Sequence, residues 1–437
     1  MLPRAFALPL AMLAASSLPV SAAVAAPSSP SKVEIRKEAD GHYTLLRNGQ
    51  PFFAKGVGGS KNLQLLVDSG GNSIRTWGIE TMGEQIDGKP FLDRCQELGI
   101  GVTVGIWVKH ERHGFNYKDQ KFVNEQREAV RNAVRKYKDH PAVLMWGLGN
   151  EMEGPTSDGA DPTIWKELNE LAAIIKKEDP NHPVMTVIAG AVPTKIKNIQ
   201  NFYPNIDILG VNAYAAAPGV GKGLRDSGWT KPFMLTEFGP VGHWEVRKTS
   251  WGAPIEPTSR EKASTYFSTN NMVIEDGKGT CLGTYAFVWG QKQETTATWF
   301  GMFLASGEKL PTVDAMAKAW TGKWPANRCP RIETFETSLR EAKVKPGAEV
   351  TAQATVSDAD KDKLTYEWTV TSESTDRKEG GDHESTPPSH PECILSAADG
   401  SVKIKTPTQP GAYRLFLTVR DGKGAASADN VPFFVER

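Results

Sequence analysis

The chain has 437 residues, with 39% apolar and 23% charged content and 12 tryptophans, a composition that describes a folded globular protein and excludes a disordered one. Lys+Arg and Asp+Glu balance at 51 each, which argues against nucleic acid or an anionic membrane surface as partner and favours a neutral substrate. The length exceeds what a single hydrophobic core organises, so a domain of roughly 250 to 300 residues plus a smaller one is expected.

Residues 1–26 read as a secretory signal, with Arg4 in a positive n-region, Ala5 to Leu18 as the apolar stretch and Ser21 to Ala26 offering small-residue cleavage options. The apolar run falls short of a roughly 20-residue span and ends in Pro27, Ser28, Ser29 and Pro30, so membrane insertion is not expected. A secreted or periplasmic protein is predicted. Cys95, Cys281, Cys329 and Cys393 would then meet an oxidising compartment; their scatter excludes a CxxC metal site. Cys329 with Cys393 is the preferred pair, both lying in or beside the C-terminal region, while Cys95 and Cys281 read equally well as buried thiols.

From residue 33 to 325, short β-branched runs alternate with helical-period stretches, the pattern of parallel strands joined by crossover helices. Eight strands are predicted: Phe52 to Val57, Asn72 to Trp77, Val102 to Val108, Val143 to Leu148, Val184 to Ile188, Ile206 to Val211, Phe233 to Thr236 and Gly283 to Trp289. Helices are expected at Phe122 to Tyr137, at Thr163 to Lys177 after an Asp-Pro start, and at Pro311 to Trp320. This is the size and period of a (β/α)8 TIM barrel, an α/β fold. A doubly wound open sheet would need a glycine-rich phosphate loop after its first strand, and Val57-Gly58-Gly59-Ser60 is a poor match.

Beyond Trp324 and Pro325, a linker containing Pro330 leads into residues 330–437, where short strands alternate with turn signals. Val350 to Val356, Leu364 to Val370, Val402 to Lys405 and Tyr413 to Val419 are the predicted strands of a small all-β sandwich. Ser357 to Asp362 before Leu364 to Trp368, and Gly411 to Tyr413 before Leu415 to Asp421, resemble immunoglobulin-like modules of the polycystic-kidney-disease and cadherin-like type. Asp358, Asp360 and Asp362 lack the Gly and distal Glu of an EF-hand loop and read as a solvated turn, so no metal and no other cofactor is expected.

Chemistry concentrates at the predicted strand ends, which in a barrel face the catalytic rim. Val143 to Leu148 runs directly into Gly149-Asn150-Glu151, and Phe233 to Thr236 into Glu237-Phe238-Gly239. Strands 4 and 7 thus each deliver a carboxylate, and cleavage of a glycosidic bond needs two carboxyls flanking the anomeric carbon. Trp77, His110, Tyr214 and Trp289 end other strands, and Trp244 follows strand 7; aromatic planes suit the C–H faces of pyranose rings. One strand-end Glu alone is usually a solvated rim residue. Two, at these two strands, with Asn before one and Gly two residues after the other, point to catalysis.

The Asn-Glu and Thr-Glu-Phe-Gly motifs, in this order, resemble those of clan A glycoside hydrolases, most closely the catalytic barrel of family 2. Position by position, the resemblance implies Glu151 as acid/base, Glu237 as nucleophile and Asn150 as the group that binds the sugar 2-hydroxyl. It further implies Tyr214 as a contact of the nucleophile, Arg75 as the cation holding it ionised and Trp289 as the platform under the reacting sugar. Trp77, His110 and Trp244 are further candidate substrate contacts. A retaining β-glycoside hydrolase acting on a β-linked oligosaccharide or polysaccharide is therefore expected, with a β-glucan transglycosylase or a non-catalytic carbohydrate-binding protein as alternatives. Full-length family 2 members carry sandwich domains before the barrel, and only a short stretch precedes it here, which implies an open cleft with endo or transglycosylating action. All these residues precede Pro325, so the C-terminal domain is expected to fold on its own and to be dispensable for chemistry.

Overall fold

The computed structural model describes residues 29–154 and 157–437; the secretory-signal reading of residues 1–26 lies outside the described residues. Eight parallel strands close into a barrel: Ala54–Gly59, Ser73–Arg75, Gly101–Ile106, Val143–Leu148, Val184–Ala189, Ile208–Asn212, Phe233–Phe238 and Cys281–Trp289. The expected α/β barrel is what forms. All six residues of Val143–Leu148 are buried, as are all six of Phe233–Phe238, because each strand has side chains inside the barrel on one face and under helices on the other. Observed strand ends differ from the predicted ones by at most two residues. The first strand runs on through Gly58 and Gly59, since register and closeness, not hydrophobicity, define it there: a Cβ on Gly56 would lie 2.3 Å from the Tyr285 ring.

The helices follow from local chemistry. Asp119 caps Gln120–Tyr137 by accepting from the backbone N–H groups of Lys121 and Phe122, and the helix buries Val123, Val130 and Val134 along one stripe. Asp161 caps Pro162–Glu178, whose first residue is a proline that needs no N–H partner. Thr258 and Glu261 form a reciprocal capping box at the start of Ser259–Asp276. At the barrel base, an antiparallel hairpin, Val33–Lys37 with Tyr43–Arg47, packs Val33 and Leu45 against Leu144, Met185, Ile208 and Met234. The base is thereby sealed, and the mouth at the strand C-termini is left for a site.

Two four-stranded sheets follow. One orders Arg331–Thr337, Glu349–Ser357, Ser401–Lys405 and Ile394–Ala398; the other orders Lys343–Val344, Ala426–Val435, Gly411–Arg420 and Thr365–Ser372. Their facing sides bury Trp368, Leu415, Leu417, Val431 and Phe433. Arg331–Thr337, Ile394–Ala398 and Ala426–Val435 were not among the predicted strands; Ile394–Ala398 is mostly exposed, so its sequence carries little apolar alternation.

One expectation about this region is corrected. Cys329 and Cys393 are free, as are Cys95 and Cys281. Cys329 is buried at the junction with the barrel, its thiol donating to the Lys309 carbonyl, whereas Cys393 packs into the core between the sheets. The C-terminal sheets also make buried contacts with the barrel. Arg414, almost wholly buried, pairs with Glu373 at 2.7 Å and donates to the Pro254 carbonyl of the barrel at 2.6 Å. Asp429 accepts from the Ser259 backbone N–H at the start of a barrel helix, and Asn430 donates to buried Glu256. Removing the sheets would strip buried barrel groups of their partners, a costly change.

Candidate active site

Asn150 and Glu151 lie two and three residues beyond the fourth strand. Gly149 and Glu151 both have left-handed backbone angles, φ 71° and 49°, and the Glu151 N–H is held by the Val187 carbonyl at 2.8 Å. A non-glycine residue there costs about 1–2 kcal/mol, the kind of local strain that accumulates at functional positions. The turn sets Glu151 against the end of the sixth strand, where Asn212 Nδ2 donates to its Oε1 at 2.8 Å.

Glu237 sits inside the seventh strand near its end and is buried. Three donors converge on it. Arg75 reaches Oε1 at 2.9 Å, Trp77 Nε1 donates to the same oxygen at 2.9 Å, and the Tyr214 hydroxyl donates to Oε2 at 3.2 Å. Arg75 also donates to the Asn150 Oδ1 at 2.7 Å and to the Thr236 carbonyl at 3.1 Å, so one buried guanidinium ties strands two, four and seven together. Asn212 donates to Asn150 Oδ1 at 3.1 Å as well and accepts from the Thr236 hydroxyl at 2.9 Å. These contacts fix which end of each amide is oxygen, and they leave the Asn150 N–H groups for another partner.

The two carboxylates occupy opposed environments. Burial, then the facing Glu237 charge and, less, the Glu153 charge push the Glu151 carboxyl up to about 7, against the Asn212 hydrogen bond and the Arg75 charge. Burial and the neighbouring carboxylates keep the Tyr214 phenol protonated as a donor. Glu153 itself is paired with fully buried Lys195 at 2.9 Å.

Of the sequence-predicted site residues, Glu151, Glu237, Arg75, Asn150, Tyr214 and Trp77 form one connected network, Trp77 as a hydrogen-bond donor to Glu237. Trp244 is half exposed and meets the Tyr214 ring edge-on at 5.4 Å. His110 is buried beside Trp107 and His113, its Nε2 without a partner; burial, with the charges of Arg112 and His113, brings it down to about 4, so it is neutral. Trp289 is the correction: it is 1% exposed, packs edge-on against Phe303 and offers no face to a sugar. Pairing with the first strand shifts register between Ala286 and Trp289, so alternation along the eighth strand fails there. Phe287 is the aromatic that joins Trp77, Tyr214 and Phe300 instead. Asn212 was also missed, although its place in Val211-Asn212-Ala213-Tyr214 at a strand end was the available signal.

Asp358, Asp360 and Asp362 each place a ligand-capable oxygen within 4.8 Å of the others, with Lys423 paired to Asp362, far along the chain from these residues.

The fold and the site together define a TIM barrel with paired carboxylates at its mouth. Residues 80–242 match the family described as glycosyl hydrolases family 2, TIM barrel domain. The chain is 26% identical over 231 residues to a β-mannosidase of Mus musculus, covering 49% of this chain and 23% of that protein. It is 27% identical over 228 residues to a β-glucuronidase of Paenibacillus borealis, covering 45% and 36%. It therefore spans less than half the length of either relative. The solved β-D-glucuronidase of Dictyoglomus thermophilum superposes with a TM-score of 0.50 at 17% identity, covering 68% of this chain and 54% of that one, a likeness of fold.

Arg75 is the keystone of the network. Arg75→Ala is expected to cost about 3–5 kcal/mol of stability, because it leaves the Glu237 carboxylate buried without its cation. Urea denaturation measures this; a midpoint equal to that of the unmodified protein would show that Arg75 is not structurally required.

Proposed function

We propose that this chain is a retaining β-glycoside hydrolase acting on a neutral β-linked oligosaccharide or polysaccharide, of which β-glucan is the first candidate. The observation that carries the reading is the pair of strand-end carboxylates in opposed settings: Glu237 under three donors, Glu151 raised to about 7. The family 2 match over residues 80–242 supports it.

In the first step Glu151 gives its proton to the glycosidic oxygen while Glu237 attacks the anomeric carbon, forming a covalent glycosyl-enzyme and releasing the leaving group. In the second, Glu151 takes a proton from water as that water attacks the same carbon and frees Glu237. Asn150, its oxygen pinned by Arg75 and Asn212, has its amide N–H groups free to bind the sugar 2-hydroxyl. Trp244 on the rim serves as a stacking surface for a further sugar unit.

The reading extends to architecture: residues 33–325 as the hydrolase domain, 330–437 as an immunoglobulin-like unit, and 1–26 as a leader that exports the chain to the periplasm or medium. Among the described residues no helix is long and apolar enough to cross a membrane. Endo or transglycosylating action was expected on the premise of an open cleft, and that premise depends on what the C-terminal sheets place at the mouth.

Two displacements at one carbon restore its configuration. Proton NMR of the first minutes of hydrolysis of an aryl β-glycoside is expected to show the β-anomer before mutarotation. An initial α-anomer would replace the double displacement with a single one.

A further inference from the structure

Between strands Thr365–Ser372 and Ile394–Ala398 of the C-terminal sheets, the segment 373–390 keeps both ends on the sandwich, Glu373 bonded to Ala412 and Ser389 bridged to Thr371, while its middle crosses to the barrel mouth. The segment is rooted by Glu373, which pairs with buried Arg414 and with Arg377, and is stapled to itself where Asp376 accepts from the Ser385 N–H at 3.0 Å. Its tip turns at Gly380 and Gly381, both left-handed at φ 61° and 75°, conformations that side chains rarely adopt.

Three latches hold the tip. Arg112 donates to the Glu379 carbonyl at 3.2 Å and to Asp382 at 3.0 Å, and Asp382 also meets His113 at 3.2 Å. Lys292 donates to the Gly381 carbonyl at 2.7 Å. Glu384, almost fully buried, accepts from the backbone N–H groups of Thr295 at 2.6 Å and Lys378 at 3.1 Å. A buried carboxylate spent on a backbone N–H of another unit marks a built contact.

Placement around the barrel gives this strap its meaning. Arg112 and His113 follow the third strand, two and three residues after His110, while Lys292 and Thr295 follow the eighth. In the barrel order the eighth, first, second and third strands are consecutive, so the strap spans that side of the mouth. Lys292 lies over the Phe287 ring, and Phe287 packs on Trp77 and Tyr214, two of the three residues that donate to Glu237. Lys292, Phe287 and the Trp77–Tyr214 pair thus connect the strap to the carboxylate by an unbroken run of side-chain contacts. Glu151 belongs to the fourth strand, opposite the eighth in an eight-stranded ring. A general acid stands on the side from which the leaving group departs, so the rest of a bound chain would extend towards the strap.

We propose that residues 373–390 form the end wall of the sugar-donor side of the cleft and limit it to a short, terminal unit. Asp382, Gly381 and Glu384 are the residues that fix the wall, and the C-terminal sheets thereby set the cleavage position without touching the reacting atoms. This inference rests on the glycosidase reading of Glu151 and Glu237. It replaces internal attack with removal of units from the non-reducing end.

The test uses the full chain, β-linked oligosaccharides labelled at the reducing end, and an aryl β-monoglycoside in parallel. The unmodified enzyme is expected to yield, at first cut, labelled products one unit shorter. In Asp382→Ala and Arg112→Ala, the share of first cuts at internal bonds should rise about fivefold, the shift that a partly exposed ion pair carries, with aryl monoglycoside turnover unchanged. Internal first cuts by the unmodified enzyme as frequent as terminal ones, alongside aryl monoglycoside turnover, would overturn the wall and leave the glycosidase reading intact. An unchanged product pattern in both folded variants would do the same. Absence of aryl β-glycoside turnover across the sugar series, in protein folded by circular dichroism, would overturn both.

Discussion

Glu237→Ala is expected to lower kcat on an aryl β-glycoside by on the order of 10⁵-fold, the scale on which loss of a covalent nucleophile is felt. The side chain is buried between the Arg75 guanidinium, the Trp77 N–H and the Tyr214 hydroxyl, so its removal leaves an anion-sized space lined by three donors. Added azide should occupy that space and attack the anomeric carbon once, giving an α-glycosyl azide. The corresponding Glu151→Ala experiment should instead give a β-glycosyl azide, because azide then intercepts a glycosyl-enzyme already formed by Glu237. A 2-fluoro sugar inactivator should label the unmodified protein on the peptide containing Glu237 and leave Glu237→Ala unlabelled. Mass spectrometry reads this directly. Labelling that persists in Glu237→Ala would move the nucleophile elsewhere.

The barrel and its two carboxylates were legible because they rest on short-range signals. Val143–Leu148 and Phe233–Phe238 are buried on both faces, so hydrophobic runs announce them, and the residue that follows or ends such a run must face the mouth. Arg75 rested on the family resemblance, and the structure supplies the physical reason: an arginine in the wholly buried strand Ser73–Arg75 needs a carboxylate partner. What stayed hidden depends on relations between distant segments. Asn212 looks like any strand-end amide until Asn150, Glu151 and Thr236 surround it. Trp289 was misplaced because a strand-end position matched to a family's sugar platform does not fix which way the ring turns, and the register with the first strand shifts just before it.

The strap was hidden more deeply. Residues 373–390 carry no hydrophobic periodicity, and their order comes from Arg112, Lys292 and Thr295, which lie far away in sequence. The same limit explains why the C-terminal sheets read as separable. A proline-containing connection suggests a linker, yet Arg414, Asp429 and Asn430 bind barrel groups that no local pattern could name.

The pH dependence of the first chemical step is expected to follow Glu151. Its carboxyl must be protonated to assist the leaving group, and burial together with the Glu237 charge raises it to about 7, so kcat/KM should fall as pH rises through about 7. In Glu151→Gln that alkaline limb should disappear, because no proton remains to be lost. The residual rate should depend steeply on the leaving group. With a poor one such as a sugar or methanol, the loss should be on the order of 10²- to 10⁴-fold, the usual contribution of a positioned acid. With a dinitrophenolate, which departs without a proton, the glycosylation step should change little. Glu153→Gln provides an independent check on the electrostatics: it removes a negative charge that helps raise Glu151 and leaves the Lys195 ammonium facing a neutral amide. Both changes favour the ionised form of Glu151, so the alkaline limb should move to lower pH while the leaving-group dependence stays as in the unmodified enzyme. A limb that persists at the same pH in Glu151→Gln would assign the titration to another group and remove Glu151 from the acid role.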